Sequence, residues 1–351
     1  MPDLIVAGAG MGGLVAAAEA RSRGADVLLL EKGDRSGGSM LLSSGVVWRH
    51  RELERFRAEC PDGDPELQRL LHERLDGDLD WLESLGAPVT ERGTGNPVTT
   101  GRRFEPRGLT EALLAAAGEP RLEEPLTELP ETVPVVLATG GFQASRDLVR
   151  EHVTPEAAHL VLRAAPGSTG DGLRLGLAAG ASTSAGLDQF YGRSMPAPPA
   201  HVGAAGFVPL AQLYARHATV TNARGERFET ATWSEIDVVQ WAARQPHARA
   251  WYRVPADALD ERVGDRTVAE MIDAAETAGA PVSREGGAVT VETVAGITTT
   301  LGGLRIDPRA QAAPGVFACG ADTGGIATGG YASGLAAALV FGRIAASSAL
   351  E

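Results

Sequence analysis

The amino-acid sequence predicts an α/β fold, and four stretches predict it. "DLIVAGAG" reads as a short buried parallel strand that runs straight into glycines. "MGGLVAAAEARSRG" then reads as a helix and "ADVLLLEKG" as a second buried strand, which completes a Rossmann-like βαβ unit. Near the other end, "GVFACGADTGGIATGGYASGLAAALVFG" repeats the order of strand, glycine loop and apolar helix. At 351 residues the chain has room for two domains, or for one large α/β domain with an insertion.

The first unit carries Gly8, Gly10 and Gly13 at GxGxxG spacing. Gly8 permits the tight turn, Gly10 lets the backbone approach a pyrophosphate, and Gly13 lets helix meet strand. The helix N-terminus would face the phosphates. Glu31 ends the second strand 18 residues beyond Gly13, placed for the two ribose hydroxyls and against a 2′-phosphate. NAD and FAD share this unit, so the later stretches decide between them.

"KGDRSGGSMLLSSGVVW" follows at once, and Gly37, Gly38 and Ser39 form a second loop able to reach the pyrophosphate or flavin side of a long dinucleotide. "VPVVLATGGF" is a later strand closing on Gly140 and Gly141. The final strand ends at Asp322, placed for a ribityl hydroxyl or, alternatively, as a helix or turn cap. Residues 329–334 can lie against an isoalloxazine ring, with the helix from about Leu335 aimed at its N1/O2 edge. These features select FAD. The expected cofactor-binding residues are Gly8, Gly10, Gly12, Gly13, Glu31 and Lys32, then Gly38, Ser39, Ser44 and Gly45. Ala138, Thr139 and Gly140 follow, with Asp171 (whose alternative role is to cap a helix), Gly320, Asp322, Ser333, Gly334 and Leu335.

Composition removes other classes. The formal charge of −13 argues against general nucleic-acid binding, which needs a basic face. No signal-type segment precedes "DLIVAGAG", no apolar run reaches membrane-spanning length, and a cytoplasmic protein with reduced thiols is expected. Cys60 and Cys319 are the only cysteines, and Cys319 reads as a small buried hydrophobe. His201, His217 and His247 have no metal-ligand spacing, and no metal site is expected. Arg102, Arg103 and Arg107 could hold an anion or simply build a loop, and Trp233, Trp241 and Trp251 could line an apolar pocket or form a small core.

Taken together, "GAGMGG", "EKGDRSGGSMLLSSG", "LDWLESLGAP", "VVLATGGF", "GSTGDGLRLGLAAGA", "VTNARGERF", "TTTLGGLRID" and the final glycine loop resemble the flavoprotein family of fumarate reductase and succinate dehydrogenase, including 3-ketosteroid dehydrogenases. The resemblance implies a Rossmann-like FAD-binding domain interrupted by a small α+β cap domain, with substrate held between cap and flavin. The expected boundaries are 1–187 and 295–351 for the FAD-binding domain and 188–294 for the cap. The histidine and arginine that fumarate reductases carry in the final loop fall here near Ala327 and Tyr331, the earlier histidine near Tyr191, and the proton-delivering arginine near Glu235. Fumarate and succinate are therefore poor candidates, since a dicarboxylate needs fixed guanidinium forks. The attachment histidine of succinate dehydrogenases is absent, so noncovalent FAD is expected. No haem motif or second GxGxxG is present, which leaves the electron donor or acceptor external.

Tyr331 matches the final loop of 3-ketosteroid dehydrogenases, where a tyrosine lies near the substrate ketone. It is the expected carbonyl-polarising residue, with flavin cover as its alternative role. Tyr191 is the expected proton-transfer residue, with cap-hinge packing as its alternative. The leading function is an FAD-dependent oxidoreductase acting on a CH–CH bond next to a carbonyl of a small, cyclic or apolar molecule, as dehydrogenation or ene reduction. The alternatives are a flavin-dependent oxidase or monooxygenase, and a non-redox flavoprotein acting as isomerase or scaffold.

Overall fold

The computed structural model describes residues 1–229 and 235–351. The chain opens with β1 (Leu4–Ala7), α1 (Met11–Ser22) and β2 (Val27–Leu30). There follow β3 (Val46–His50), α2 (Leu53–Glu59), α3 (Pro65–Ser84), β4 (Val89–Arg92), β5 (Thr99–Phe104) and α4 (Pro106–Ala117). The middle contains β6 (Val135–Leu137), α5 (Arg146–His152), β7 (Val161–Leu162), α6 (Asp171–Ala178), β8 (Phe190–Pro196) and β9 (Thr219–Thr221). After these come α7 (Glu235–Ala243), β10 (Arg249–Pro255), β11 (Arg262–Val263), β12 (Arg266–Thr267), α8 (Val268–Thr277), β13 (Val282–Glu285) and β14 (Ala288–Thr300). The chain closes with β15 (Gln311–Ala313), β16 (Val316–Ala318) and α9 (Gly334–Ala349).

Two compact units result. The first comprises Met1–Ser145, Ala164–Gln189 and Thr299–Glu351; the second comprises Arg146–Arg163 and Phe190–Thr298. Residues 146–163, which the sequence places with the FAD-binding domain, group with the second unit because β7 pairs parallel to β14.

The first unit is built on a five-stranded sheet of order β15-β16-β6-β1-β2. β16, β6, β1 and β2 are parallel, and β15 is an antiparallel edge. All four residues of β1 are buried, as a central parallel strand covered on both faces requires. α1 and α9 cross at glycines: a Cβ on Gly342 would lie 2.8 Å from Gly12 O and 3.0 Å from Val15. Arg343 of α9 bridges Glu19 of α1 at 2.8 Å and Asp78 of α3 at 2.5 Å, which ties three helices through a largely buried ion network. A separate antiparallel sheet of order β3-β5-β4 completes the unit. The glycine-rich ends of β1, β6 and β16 are shorter as strands than the sequence suggests, because their last residues turn out of the sheet to build loops.

The second unit is a mainly antiparallel sheet of order β13-β14-β10-β9, with β7 and β8 also paired to β14. α8 turns Val268, Met271, Ile272 and Ala275 inward at helical spacing, and Thr267 with Glu270 closes its start as a reciprocal capping box. Tyr214 and Tyr252 are fully buried and pack edge to face at 5.7 Å. Their hydroxyls are satisfied by Gln212 Oε1 and Ser194 Oγ, each at 2.8 Å.

Candidate functional site

The glycines at the GxGxxG positions divide into two that packing demands and one that it does not. Gly8 has φ +103°, and a Cβ there would lie 2.2 Å from Ala138 O. A Cβ at Gly13 would lie 1.7 Å from Gly8 O. At Gly10 a Cβ would meet nothing within 4 Å. No side chain caps the start of α1, so its first N–H groups, beside that open space, are available to a ligand. Gly38, at the start of the second glycine loop, brings its ideal Cβ position within 3.4 Å of Gly10 Cα, so the two loops flank the same opening. Free N–H groups beside an opening with no side chain in it fit the diphosphate of the FAD that the sequence predicts.

Around it the expected residues separate by exposure. Gly8, Gly10, Glu31, Lys32, Gly38, Ser39, Ser44, Thr139, Gly140, Asp171, Gly320, Gly334 and Leu335 all retain accessible surface. Gly12, Gly13, Gly45, Ala138, Asp322 and Ser333 are buried behind them and shape the walls. Gly45, at φ +69°, would drive a Cβ to 2.0 Å from Phe104 O. Glu31 accepts from Ala9 N–H and Gly33 N–H, both at 2.7 Å, one on each oxygen. Lys32 Nζ reaches Thr169 Oγ1 at 2.7 Å and Asp171 Oδ2 at 2.5 Å. Asp171 therefore pairs with Lys32 from the first turn of α6 instead of capping it; Gly170 is the cap position. Ser39 Oγ accepts from Ala165 N–H at 2.9 Å.

Asp322 is 1 % exposed. Its carboxylate accepts from the Thr139 backbone N–H, from Thr139 Oγ1 at 3.0 Å and from Gly141 N–H at 3.1 Å. It thus clamps the loop after β6 onto the end of β16. Burial pushes its carboxyl up, opposed by the hydrogen bonds from residues 139–141. Cys319 is fully buried beside Gly12, and burial raises its thiol.

The glycine loop before α9 is seated on α2: a Cβ at Gly330 would lie 1.7 Å from Glu59 O. Ser333 caps α9 by accepting from Ala336 N–H at 3.2 Å. Tyr331 is half-buried and heads a row of rings. It meets Trp48 edge to face at 5.7 Å, Trp48 meets His50 at 5.3 Å, and His50 stacks on Phe56 at 5.5 Å. Burial holds the His50 imidazole below its ordinary pKa and pushes the Cys60 thiol up to about 12. Trp48 and His50 support the site and were not singled out in the sequence. Their only signal is a shared face of β3 at spacing two, which does not reveal that residue 331 packs there.

Tyr191 belongs to the second unit, on β8. The Arg193 guanidinium, two residues on, lies 4.9 Å from its ring centroid. Glu235, the first residue of α7, accepts from Ala215 N–H at 3.0 Å. Burial raises its carboxyl to about 7, against the opposing pull of Arg193.

The other sequence candidates have structural partners. Arg102 pairs with Asp80 at 2.5 Å and Glu83 at 2.7 Å, and Arg103 with Glu91 at 3.4 Å, while Arg107 is exposed. Trp241 packs against Phe228 at 5.5 Å; Trp251 is half-buried on β10; Trp233 lies outside the described residues. Among the described residues no helix is long and apolar enough to cross a membrane.

The comparisons with known proteins agree with this architecture. A family model described as "FAD binding domain" matches residues 3–133 and 128–335. The chain is 23% identical over 446 aligned residues to fumarate reductase (cytochrome) of Shewanella frigidimarina, covering 99% of this chain and 77% of that protein. It is 25% identical over 248 residues to vinyl phenol reductase of Lactiplantibacillus plantarum, covering 55% of this chain and 47% of that protein. Among solved structures, 3-ketosteroid-delta4-(5alpha)-dehydrogenase of Rhodococcus jostii, in complex with 4-androstene-3,17-dione, superposes with a TM-score of 0.75 at 19% identity. That match covers 100% of this chain and 97% of the dehydrogenase. With a βαβ cradle open at Gly10 and a family match across most of its length, the chain belongs to the FAD binding domain family and is an FAD-dependent oxidoreductase.

Proposed function

We propose that this enzyme exchanges hydrogen across a carbon–carbon bond adjacent to the carbonyl of a small, neutral, cyclic or apolar molecule. FAD, when bound, supplies the group that accepts or donates hydride. We assign its diphosphate to the opening between Gly10 and Gly38 and its ribose to Glu31, with Lys32, Ser39, Thr139, Gly140 and Asp171 along the rest of the cradle.

The observation that carries the reading is the loop of residues 320–333. It contains no Lys, Arg or His, and it presents Tyr331 against Trp48. A dicarboxylate calls for fixed cations. A neutral carbonyl calls for one well-placed donor and a dry surface. In this reading the Tyr331 hydroxyl donates to the carbonyl oxygen, and the positive end of α9, whose Ala336 N–H is capped by Ser333, favours the negative charge that develops there. Tyr191 is the proton-transfer residue, its ring fixed by Arg193. The Rhodococcus structure holds a cyclic ketone, which supports the carbonyl class, and the vinyl phenol reductase is named for a neutral unsaturated substrate without a carbonyl, which supports only its lack of charge.

The test is spectroscopic. Holoprotein kept free of oxygen is titrated with saturated cyclic ketones, and photoreduced holoprotein with cyclic enones. Bleaching by a ketone, or recolouring by an enone, is expected. Indifference to every carbonyl compound, with recolouring by fumarate, would overturn the substrate class. Rapid recolouring in air with stoichiometric peroxide would favour an oxidase.

A further inference from the structure

We propose that Glu156, His159 and His247 form a divalent transition-metal site in the second unit, suited to Zn²⁺, that staples the turn after α5 to the turn between α7 and β10. One ligand atom from each of the three side chains lies within 4.8 Å of the other two. His159 Nε2 is 3.7 Å from Glu156 Oε2, and the His247 backbone N–H donates to the same oxygen at 3.0 Å. The two imidazoles meet edge to face, with centroids 4.7 Å apart. Both histidines are exposed and Glu156 is half-buried, so a hydrated ion has direct access.

The two segments are held in register from beneath. Thr154, 2 % exposed, donates its hydroxyl to Ala243 O at 2.7 Å, and the same hydroxyl accepts from Glu156 N–H at 3.2 Å. His159 N–H closes the short turn onto Glu156 O at 2.9 Å. On the other segment His247 and Ala248 have φ of +58° and +54°, consecutive left-handed residues that are not glycine. Ala248 is fully buried and its N–H bonds Gln245 O at 2.8 Å, which sets the direction in which the His247 side chain leaves the chain. Left-handed non-glycine residues cluster at functional sites, and here one is a histidine facing another histidine and a carboxylate.

The chemistry selects the ion. Two imidazole nitrogens and one carboxylate oxygen suit Zn²⁺, Ni²⁺ or Cu²⁺, whereas Mg²⁺ and Ca²⁺ prefer all-oxygen shells. Zinc bonds of ~2.0–2.2 Å bring tetrahedral ligand atoms to roughly 3.4 Å from one another. Exposed side chains reach that spacing by small rotations, and water completes the shell. The histidines lie 88 residues apart in the sequence, so no spacing motif exposes them.

The test uses holoprotein stripped of metal and dialysed against buffered Zn²⁺. Binding of about one ion per chain is expected, with a rise in melting temperature that Mg²⁺ does not produce. Glu156→Gln, His159→Ala and His247→Asn should each weaken Zn²⁺ binding at least ~100-fold, beyond the ~10–100-fold that loss of an outer-shell partner causes. Asparagine is used at 247 because it tolerates the left-handed backbone. Flavin content and turnover should be unchanged in all three, which shows that they are folded. Absence of stoichiometric Zn²⁺ in the parent protein would overturn the proposal, as would variants that bind Zn²⁺ as the parent does. Cys60 and Cys319 are fully buried and do not compete for the ion.

Discussion

Replacing Gly10 and Gly13 by alanine, one at a time, separates cofactor binding from folding. Gly10 has φ −80° and ψ −170°, a conformation open to any residue, and a Cβ there touches no protein atom within 4 Å. Gly10→Ala should therefore leave the apoprotein intact, or stabilise it by about 0.4–1 kcal/mol through the unfolded chain. The new methyl occupies the space assigned to the diphosphate. Displacing one charged hydrogen bond costs about 1.5–3 kcal/mol, or roughly 10- to 100-fold in the FAD dissociation constant. Gly13→Ala behaves differently. Its Cβ would lie 1.7 Å from Gly8 O, and neither backbone can yield cheaply. Overpacking of this kind costs at least about 1–3 kcal/mol, lost from the apoprotein itself. The assay is thermal unfolding of both apoproteins by circular dichroism, with FAD titration followed by quenching of flavin fluorescence. If Gly10→Ala binds FAD as the parent does, the diphosphate does not lie against Gly10. If its apoprotein loses as much stability as Gly13→Ala, the space is not open.

Tyr331→Phe should retain FAD and slow reaction with substrate by about 10²–10³, the usual cost of one oxyanion donor; stopped-flow bleaching measures it. Arg343→Leu leaves Glu19, 5 % exposed, to Arg23 alone at 2.9 Å and Asp78, 3 % exposed, to Arg74 alone at 4.0 Å, and should cost about 1–3 kcal/mol in a denaturant titration. Glu235 is held protonated in the fold up to about 7, against an ordinary 4.5, so unfolding releases a proton between those values and stability falls as pH rises through that window. The loss amounts to about 3 kcal/mol and levels off above it. Glu235→Gln keeps an acceptor for Ala215 N–H and should remove this fall, so the difference in stability between parent and variant should grow from pH 5 to pH 7 and then hold steady.

What was legible in the sequence follows from locality. The βαβ unit depends on residues within one turn and two strands, so Gly8, Gly10, Gly13 and Glu31 announce the cradle together. The terminal strand, glycine loop and helix are equally local, and α9 begins one residue from the expected Leu335. Contacts made between distant segments left no trace. Nothing around Asp322 reveals that its carboxylate reaches Thr139 and Gly141, and nothing in "VVWRH" reveals that Tyr331 leans on Trp48. The grouping of residues 146–163 with the second unit also rests on long-range contacts, the pairing of β7 with β14 and the bonds of Thr154 and Glu156 to Ala243 and His247. The same limit hid Glu156, His159 and His247, which meet across two separated turns.

The substrate class is tested most directly by one comparison. Holoprotein is photoreduced without oxygen and mixed in separate runs with a cyclic enone series and with fumarate, and the return of flavin absorbance is timed. A loop that carries Tyr331 and Ala327 and no cation predicts recolouring by an enone and none by fumarate above the rate in buffer. Recolouring by fumarate, with every enone inert, would contradict it.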